Sequence, residues 1–207
     1  MTLRPTQDGA ASRLLIVGPQ GSGKGTQGIR IAEAFGIPAI STGDVFRGAV
    51  AAGTELGLQV QAIIAAGDLV SDELTSAVVR DRLAQPDAAH GFLLDGYPRN
   101  LAQVRSLDEF LDGRGQELDA VIELDVPRDE SIARLSLRAT EQGRTDDTEE
   151  VIANRLAIYE RETSPILDVY RDRGIVDVID GLGSLDEITD RVIAALEARG
   201  MSRPAAA

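Results

Sequence analysis

Residues 14 to 26, Leu14-Leu15-Ile16-Val17-Gly18-Pro19-Gln20-Gly21-Ser22-Gly23-Lys24-Gly25-Thr26, constrain the fold of this chain more than any other stretch. Four apolar residues followed by three glycines in six positions describe a buried strand that stops abruptly and turns its backbone tightly. Glycine accepts positive φ and lets main-chain N–H groups converge on one point. A helix starting at Lys24 aims the positive end of its dipole at the same point, so the loop is a nest for phosphate groups. Of 21 basic residues only Lys24 is a lysine; all the others are arginine. A chain that keeps one flexible ammonium here uses it as a mobile point charge suited to β- and γ-phosphates, unless compositional bias merely spared it.

At 207 residues the chain fits one domain with small insertions and is long enough to bury a core. Its net charge of −13 and pI near 4.5 argue against nucleic acid or an anionic membrane as partner, although a local basic site can sit in an acidic protein. Without cysteine there is neither a disulfide framework nor a thiolate zinc site. Residues 1–12 are polar and lack the apolar core of a signal peptide, and no run approaches the ~18 apolar residues of a membrane span. The expectation is a cytoplasmic monomer with no nucleic-acid or membrane partner.

Short apolar runs alternate with longer amphipathic stretches, the pattern of an α/β fold with helices on both faces of a parallel sheet. Strands are expected near 14–18, 38–41, 91–95, 119–126 and 175–179. Helices are expected over 24–35, 43–52, 55–66, 71–84, 100–112, 128–138, 147–172 and 184–198, with Pro165 kinking or breaking the penultimate one. About fifty residues of helix between the second and third strands exceed what a crossover needs and read as an inserted helical subdomain. The polar segment Ala139-Thr140-Glu141-Gln142-Gly143, between Arg138 and Arg144, reads as a lid because few buried contacts would hold it closed. The expected organisation is one domain over 13–199, with an insertion at 41–70, a short lid at 138–145, and flexible tails at 1–12 and 200–207.

Gly91-Phe92-Leu93-Leu94-Asp95-Gly96-Tyr97-Pro98-Arg99 is an apolar strand ending in a carboxylate, then a turn opening a helix. Parallel α/β sheets bind ligands at the carboxyl ends of their strands. Asp95 is therefore a candidate to face the phosphate loop and, with Thr26, hold Mg²⁺ directly or through water; a turn aspartate is the plainer reading. Arg99 and Gln103 share a helix face, where one can take a phosphate and the other the edge of a base. Arg134 and Arg138, four apart, would repel by ~0.2–0.5 kcal/mol unless an anion lies between them. Arg144 and Arg155 are eleven residues apart, close to three helical turns, and a solvated arginine face also accounts for the set. Asp147 with Glu150 three residues on is a capping-box arrangement, and Asp146 and Asp147 could also latch lid arginines. His90, the only histidine, has no partner in sequence and reads as a surface residue.

The motif G-x-x-x-x-G-K-[ST] runs from Gly18 to Lys24 and then departs, since Gly25 follows the lysine and Thr26 comes one place later. The run Gly21 to Gln27 resembles the loop of adenylate kinases and related nucleoside monophosphate kinases. Asp95-Gly96-Tyr97-Pro98-Arg99, with Gln103 four residues on, resembles their monophosphate-binding helix, and Ser41-Thr42-Gly43-Asp44-Val45-Phe46-Arg47 resembles their STGD-x-x-R segment. The resemblance spans residues 13–198. It implies the P-loop NTPase fold, with a five-stranded parallel sheet flanked by helices, a helical monophosphate-binding insertion and a short lid. It further implies reversible, Mg²⁺-dependent transfer of the terminal phosphoryl group of ATP to AMP, giving two ADP.

By the same resemblance Gly21, Ser22, Gly23, Lys24, Gly25 and Thr26 hold ATP phosphates. Arg134 stacks on the ATP base, Arg138 contacts its phosphates, and the backbone of Gly183 touches its adenine. Thr42 lies against the adenine of AMP, Arg47 and Arg99 reach its phosphate, and Gln103 hydrogen-bonds its base. The stretch Asp68-Leu69-Val70 and the turn Gly96-Tyr97-Pro98 line that pocket. Arg144 and Arg155 clamp the AMP phosphate and the group in transfer, completing a catalytic set with Lys24, Arg99 and Arg138. Relatives that prefer UMP or CMP tend to carry alanine where Thr42 stands, so threonine favours AMP over that alternative. Gln20 departs from a common proline, and Leu137 and Ala139 from common glycines. The lid is similar to that of short-lid members, without the zinc-bound long lid.

Overall fold

The computed structural model describes residues 12–142 and 148–204. Its centre is a five-stranded parallel sheet in the order β2-β3-β1-β4-β5, built from β1 (Ser12–Val17), β2 (Ala39–Ser41), β3 (Gly91–Asp95), β4 (Ala120–Asp125) and β5 (Val176–Asp180). Every expected strand occurs within two residues of its expected limits. The central strand is apolar on both faces because both are covered. Leu14 and Ile16 pack with Ile31 and Phe35 of α1 (Lys24–Phe35) and Val192 and Leu196 of α9 (Leu185–Ala198). Leu15 and Val17 point the other way, into a layer with Leu83 of α4 (Asp72–Leu83), Leu107 of α5 (Leu101–Asp112) and Tyr170 of α8 (Ile166–Asp172).

β1 has β3 on one side and β4 on the other, so the chain winds outward from it in both directions and a crevice opens at its carboxyl end. The register pairs Ile16 with Asp95 and Asp95 with Ser41. The loop after β1, the end of β3 and the start of α2 (Thr42–Ala51) therefore open on one edge.

The insertion contains α2 and α3 (Glu55–Ala66) around a small core of Phe46, Val60 and Val70. Gly57 permits their contact, because a Cβ there would lie 2.1 Å from the Ala49 carbonyl oxygen of α2. Gly57→Ala is expected to lower the unfolding free energy by about 1–3 kcal/mol, the usual cost of forcing an atom into packed space. A urea midpoint equal to that of the wild type would contradict so close an approach.

Three expectations need correction. The helix expected over 128–138 is α6 (Arg128–Gln142), so most of the Ala139–Gly143 interruption is helical backbone. Nothing before Gly143 breaks a helix, and Ala139, Glu141 and Gln142 favour one. The helix expected over 147–172 is three pieces, α7 (Glu149–Ile158), a π-helical turn at Tyr159–Thr163, and α8. Pro165 is the cause: it has no N–H, its ring crowds the carbonyl four residues back, and the widened turn before it carries a Ser164 N–H to Tyr159 O bond of 2.8 Å. The cap of α7 is Thr148, whose Oγ1 accepts from Val151 N at 3.3 Å, and not Asp147. Thr148 has the extended backbone a cap requires; Asp146 and Asp147 lie outside the described residues. His90 is exposed, as expected. Among the described residues no single helix is long and apolar enough to cross a membrane.

Candidate active site

The loop between β1 and α1 is shaped by glycine. Gly21 and Gly23 have φ of 85° and 91°, and a Cβ on Gly21 would lie 2.3 Å from the Ser131 carbonyl of α6. Lys24 bends back so that Nζ donates to Pro19 O at 2.7 Å. Ser41, Thr54, Ser71, Asn100, Thr148 and Ser184 cap α2, α3, α4, α5, α7 and α9, each accepting from the N–H three residues on. α1 instead has Gly23 at its N-cap position, with no side-chain cap and no acidic residue in its first turn. Its leading N–H groups are therefore left without a side-chain partner and can take an anion.

A cavity of about 950 Å³ opens in front of this helix end. Gly21, Gly23, Lys24, Gly25 and Thr26 line one side, joined by Arg134 and Arg138 of α6. Facing them are Thr42 and Arg47 of α2, the stretch Asp68, Leu69 and Val70, the turn residues Gly96 and Pro98, then Arg99, Gln103 and Arg155. Asp95 lies between, its Oδ2 3.7 Å from where a Cβ on Gly25 would stand.

Three expected residues do not line the cavity. Ser22 is fully buried beneath the loop. The Tyr97 side chain is in the core, hydrogen-bonded to Ser76 Oγ at 2.9 Å and to Gln103 O at 3.2 Å. Gly183 sits in the loop after β5, against Glu187 and Arg191. Arg144 lies outside the described residues.

Lys24, Asp95 and Arg99 are half-buried in the cavity wall. Burial lowers Lys24 to a pKa of about 8, with Asp95 pulling the other way and Arg99 and Arg138 adding to the fall. Burial also pushes Asp95 up, against the pull of Lys24 and Arg99. Arg99 is lowered by burial, opposed by Asp95 and reinforced by Arg155 and Arg47. In each case dehydration outweighs the opposite charge nearby, which makes the cleft a place where an added anion would be strongly bound.

The side across from the loop is held by a connected set of hydrogen bonds. Thr42 Oγ1 and Arg99 Nε both donate to Gly96 O, at 2.9 and 2.8 Å. Gln103 Oε1 accepts from Arg99 N at 2.8 Å, and its Nε2 donates to Asp72 Oδ1 at 2.8 Å. Thr163, on the π turn, donates to Arg99 O at 2.9 Å. Asn154 donates to Ala66 O and to Asp68 Oδ1, fastening the end of the insertion to α7. Arg47 is turned back onto Asp44 at 2.6 Å. Arg134 pairs with Glu130 at 2.7 Å and donates to Gly181 O at 3.1 Å, tying α6 to the loop after β5. Sequence reasoning misses Asp72 and Thr163, and Asn154 enters it only as part of the Asn154-Arg155 pair. Asp72 reads there only as an acid complementing the start of α4.

Cations on both banks of a poorly hydrated cleft suit a protein that passes one anionic group between two anionic partners. On this sheet and loop, that is a nucleotide phosphotransferase of the P-loop class. Residues 16–175 match the family model described as Adenylate kinase. The chain is 59% identical over 190 residues to the adenylate kinase of Clavibacter michiganensis subsp. michiganensis, covering 92% of this chain and 95% of that protein. It is 51% identical over 187 residues to that of Thermobifida fusca, covering 90% and 99%, and 50% identical over 186 residues to that of Stenotrophomonas maltophilia, covering 90% and 100%. The chain belongs to the adenylate kinase family.

Proposed function

We propose that this chain transfers the terminal phosphoryl group of ATP reversibly to AMP, giving two ADP. The observation that carries the reading is the single cavity with the uncapped start of α1 and Lys24 on one side and Arg47, Arg99 and Arg155 on the other. Two phosphate chains entering from opposite ends would meet between them. The loop amides and Lys24 bind the donor phosphates, Arg134 and Arg138 act on the same nucleotide, and Arg99, Arg155 and Arg47 take the AMP phosphate. Arg47 must leave Asp44 to do so. Arg144 belongs to the same reading as a further clamp on the transferring group. No general base is required, because the attacking phosphate oxygen is already ionised. Positioning and neutralisation of charge supply the acceleration.

Among the described residues no cluster of three or more metal-ligating side chains occurs. Magnesium keeps several waters and takes one or two carboxylates plus substrate phosphates. Asp95, half-buried near Lys24 and Gly25, is the carboxylate that would hold it, with Thr26 nearby on the loop. The ion would neutralise the donor phosphate oxygens. Inward movement of the insertion 41–70 would exclude water from the transfer. Both banks are built from one chain, which supports a monomer, and ATP and AMP as substrates support a cytoplasmic location.

An acceptor panel tests the assignment. With MgATP and AMP, UMP, CMP, GMP or dTMP in turn, AMP is expected to be phosphorylated far faster than the others. A preference for UMP or CMP would overturn the reading and favour the pyrimidine alternative.

A further inference from the structure

Gln103 stands in the cavity wall, almost wholly buried at 1% exposure, and both ends of its amide are engaged by the protein. A glutamine amide presents two N–H donors on nitrogen and two lone pairs on oxygen, and the two ends are nearly isosteric. Free in a pocket, it can rotate half a turn at little cost and exchange donor for acceptor. Here it cannot. The Arg99 backbone N–H, 2.8 Å away, can only donate, so it demands the oxygen. The Asp72 carboxylate, also at 2.8 Å, demands the nitrogen when ionised. The same Asp72 Oδ1 accepts from Asn100 Nδ2 at 2.8 Å, and Asn100 Oδ1 in turn takes the Gln103 backbone N–H at 3.0 Å. Asp72 therefore stands in a fixed frame at the start of α4 and, together with the Arg99 N–H, fixes the orientation of a side chain on α5.

Building on the assignment of Gln103 to the acceptor base, we infer that Asp72 is a positioning residue that locks the Gln103 amide and so selects a 6-amino purine over a 6-oxo purine. With one N–H spent on Asp72 and one lone pair on Arg99 N, the amide offers the cavity one N–H and one lone pair in fixed places. Adenine presents a matching edge, an acceptor at N1 and an N–H at the 6-position. Hypoxanthine and guanine present the reverse, an N–H at N1 and an acceptor at the 6-position, which a flipped amide would satisfy and a locked one opposes. Rejecting them then costs two mismatched buried polar contacts rather than one side-chain rotation.

Inosine monophosphate is the probe, since it differs from AMP only on that edge. Calorimetric titration of the full chain with AMP and with inosine monophosphate, without ATP, is expected to show wild-type preference for AMP of at least about a hundredfold. Asp72→Asn supplies an amide able to donate to a flipped Gln103, which removes one of the two contacts that oppose the flip and leaves the Arg99 N–H as the other. It is expected to narrow that preference about tenfold, weakening AMP while leaving inosine monophosphate unchanged or tighter. Equal loss for both ligands would reduce Asp72 to a clamp between α4 and α5 and overturn the inference, as would a wild type that binds the two alike. If circular dichroism shows Asp72→Asn unfolded, Asp72→Ser, which likewise lacks the obligate acceptor charge, decides by the same ratio. A wild type that prefers AMP in the titration but transfers no phosphoryl group would sink the proposed function and leave this inference standing.

Discussion

Lys24→Met is expected to lower kcat by about 10²–10³ with AMP saturating, because it removes a dehydrated point charge aimed at oxygens whose charge is redistributed during transfer. Folding should not suffer. Lys24 has a pKa of about 8 in the folded chain against 10.5 for a hydrated lysine, so the unfolded chain binds the extra proton between those values. Stability then rises with pH from about 8 to 10.5. Below pH 8 the fold bears the full cost of burying the ammonium. At pH 7 the ligand-free methionine variant should therefore melt above the wild type, and the gap should close as pH rises through that window. ATP affinity of the wild type should fall above pH 8 as the ammonium deprotonates, while the variant shows no such dependence. Turnover equal to wild type, or a variant that melts lower at pH 7, would contradict the role.

Arg99→Ala is expected to reduce kcat/KM for AMP by roughly 10³, with ATP binding changed only a few-fold. The guanidinium is held to Gly96 O at 2.8 Å on the acceptor bank, and burial already works against its charge. A dianionic phosphate relieves that cost, so the favourable contact appears only with substrate present. Arg99→Lys keeps the charge but not the two-pronged donor geometry, and should recover only part of the loss. Measuring kcat/KM with each nucleotide varied in turn separates the banks. A loss that falls on ATP instead would move Arg99 to the donor side.

Much of this was legible in the sequence because single residues there have few physical alternatives. Four apolar residues ahead of Gly18, Gly21 and Gly23 can scarcely be anything but a strand entering a tight anion loop. The sole lysine drew attention to the residue that the structure sinks beside Asp95. Order along the chain located the insertion because about fifty residues between two parallel strands must go somewhere. What stayed hidden depends on choices between near-equivalents or on contacts across the fold. Asp147 and Thr148 are both good caps by residue type, and the extended backbone of Thr148 with its hydroxyl on the Val151 N–H identifies the cap. The π turn needs knowledge of where Pro165 falls relative to a packed helix face. Asp72 and Gln103 are 31 residues apart on different helices, and only the juxtaposition of α4 and α5 makes them partners. Tyr97 sits within a motif of pocket residues, but its ring is large enough to be worth more in the core, where Ser76 satisfies its hydroxyl.

The most direct measurement follows the labelled terminal phosphate of ATP when the purified full chain is mixed with magnesium, ATP and AMP. Two nucleotides facing each other across the cavity would let the label leave ATP only as AMP disappears. It should be recovered in the β position of ADP, with little free phosphate and two ADP formed per AMP consumed. Label appearing mainly as inorganic phosphate, at a rate indifferent to AMP, would mean that water is the acceptor and that the arginine bank does not hold a second nucleotide.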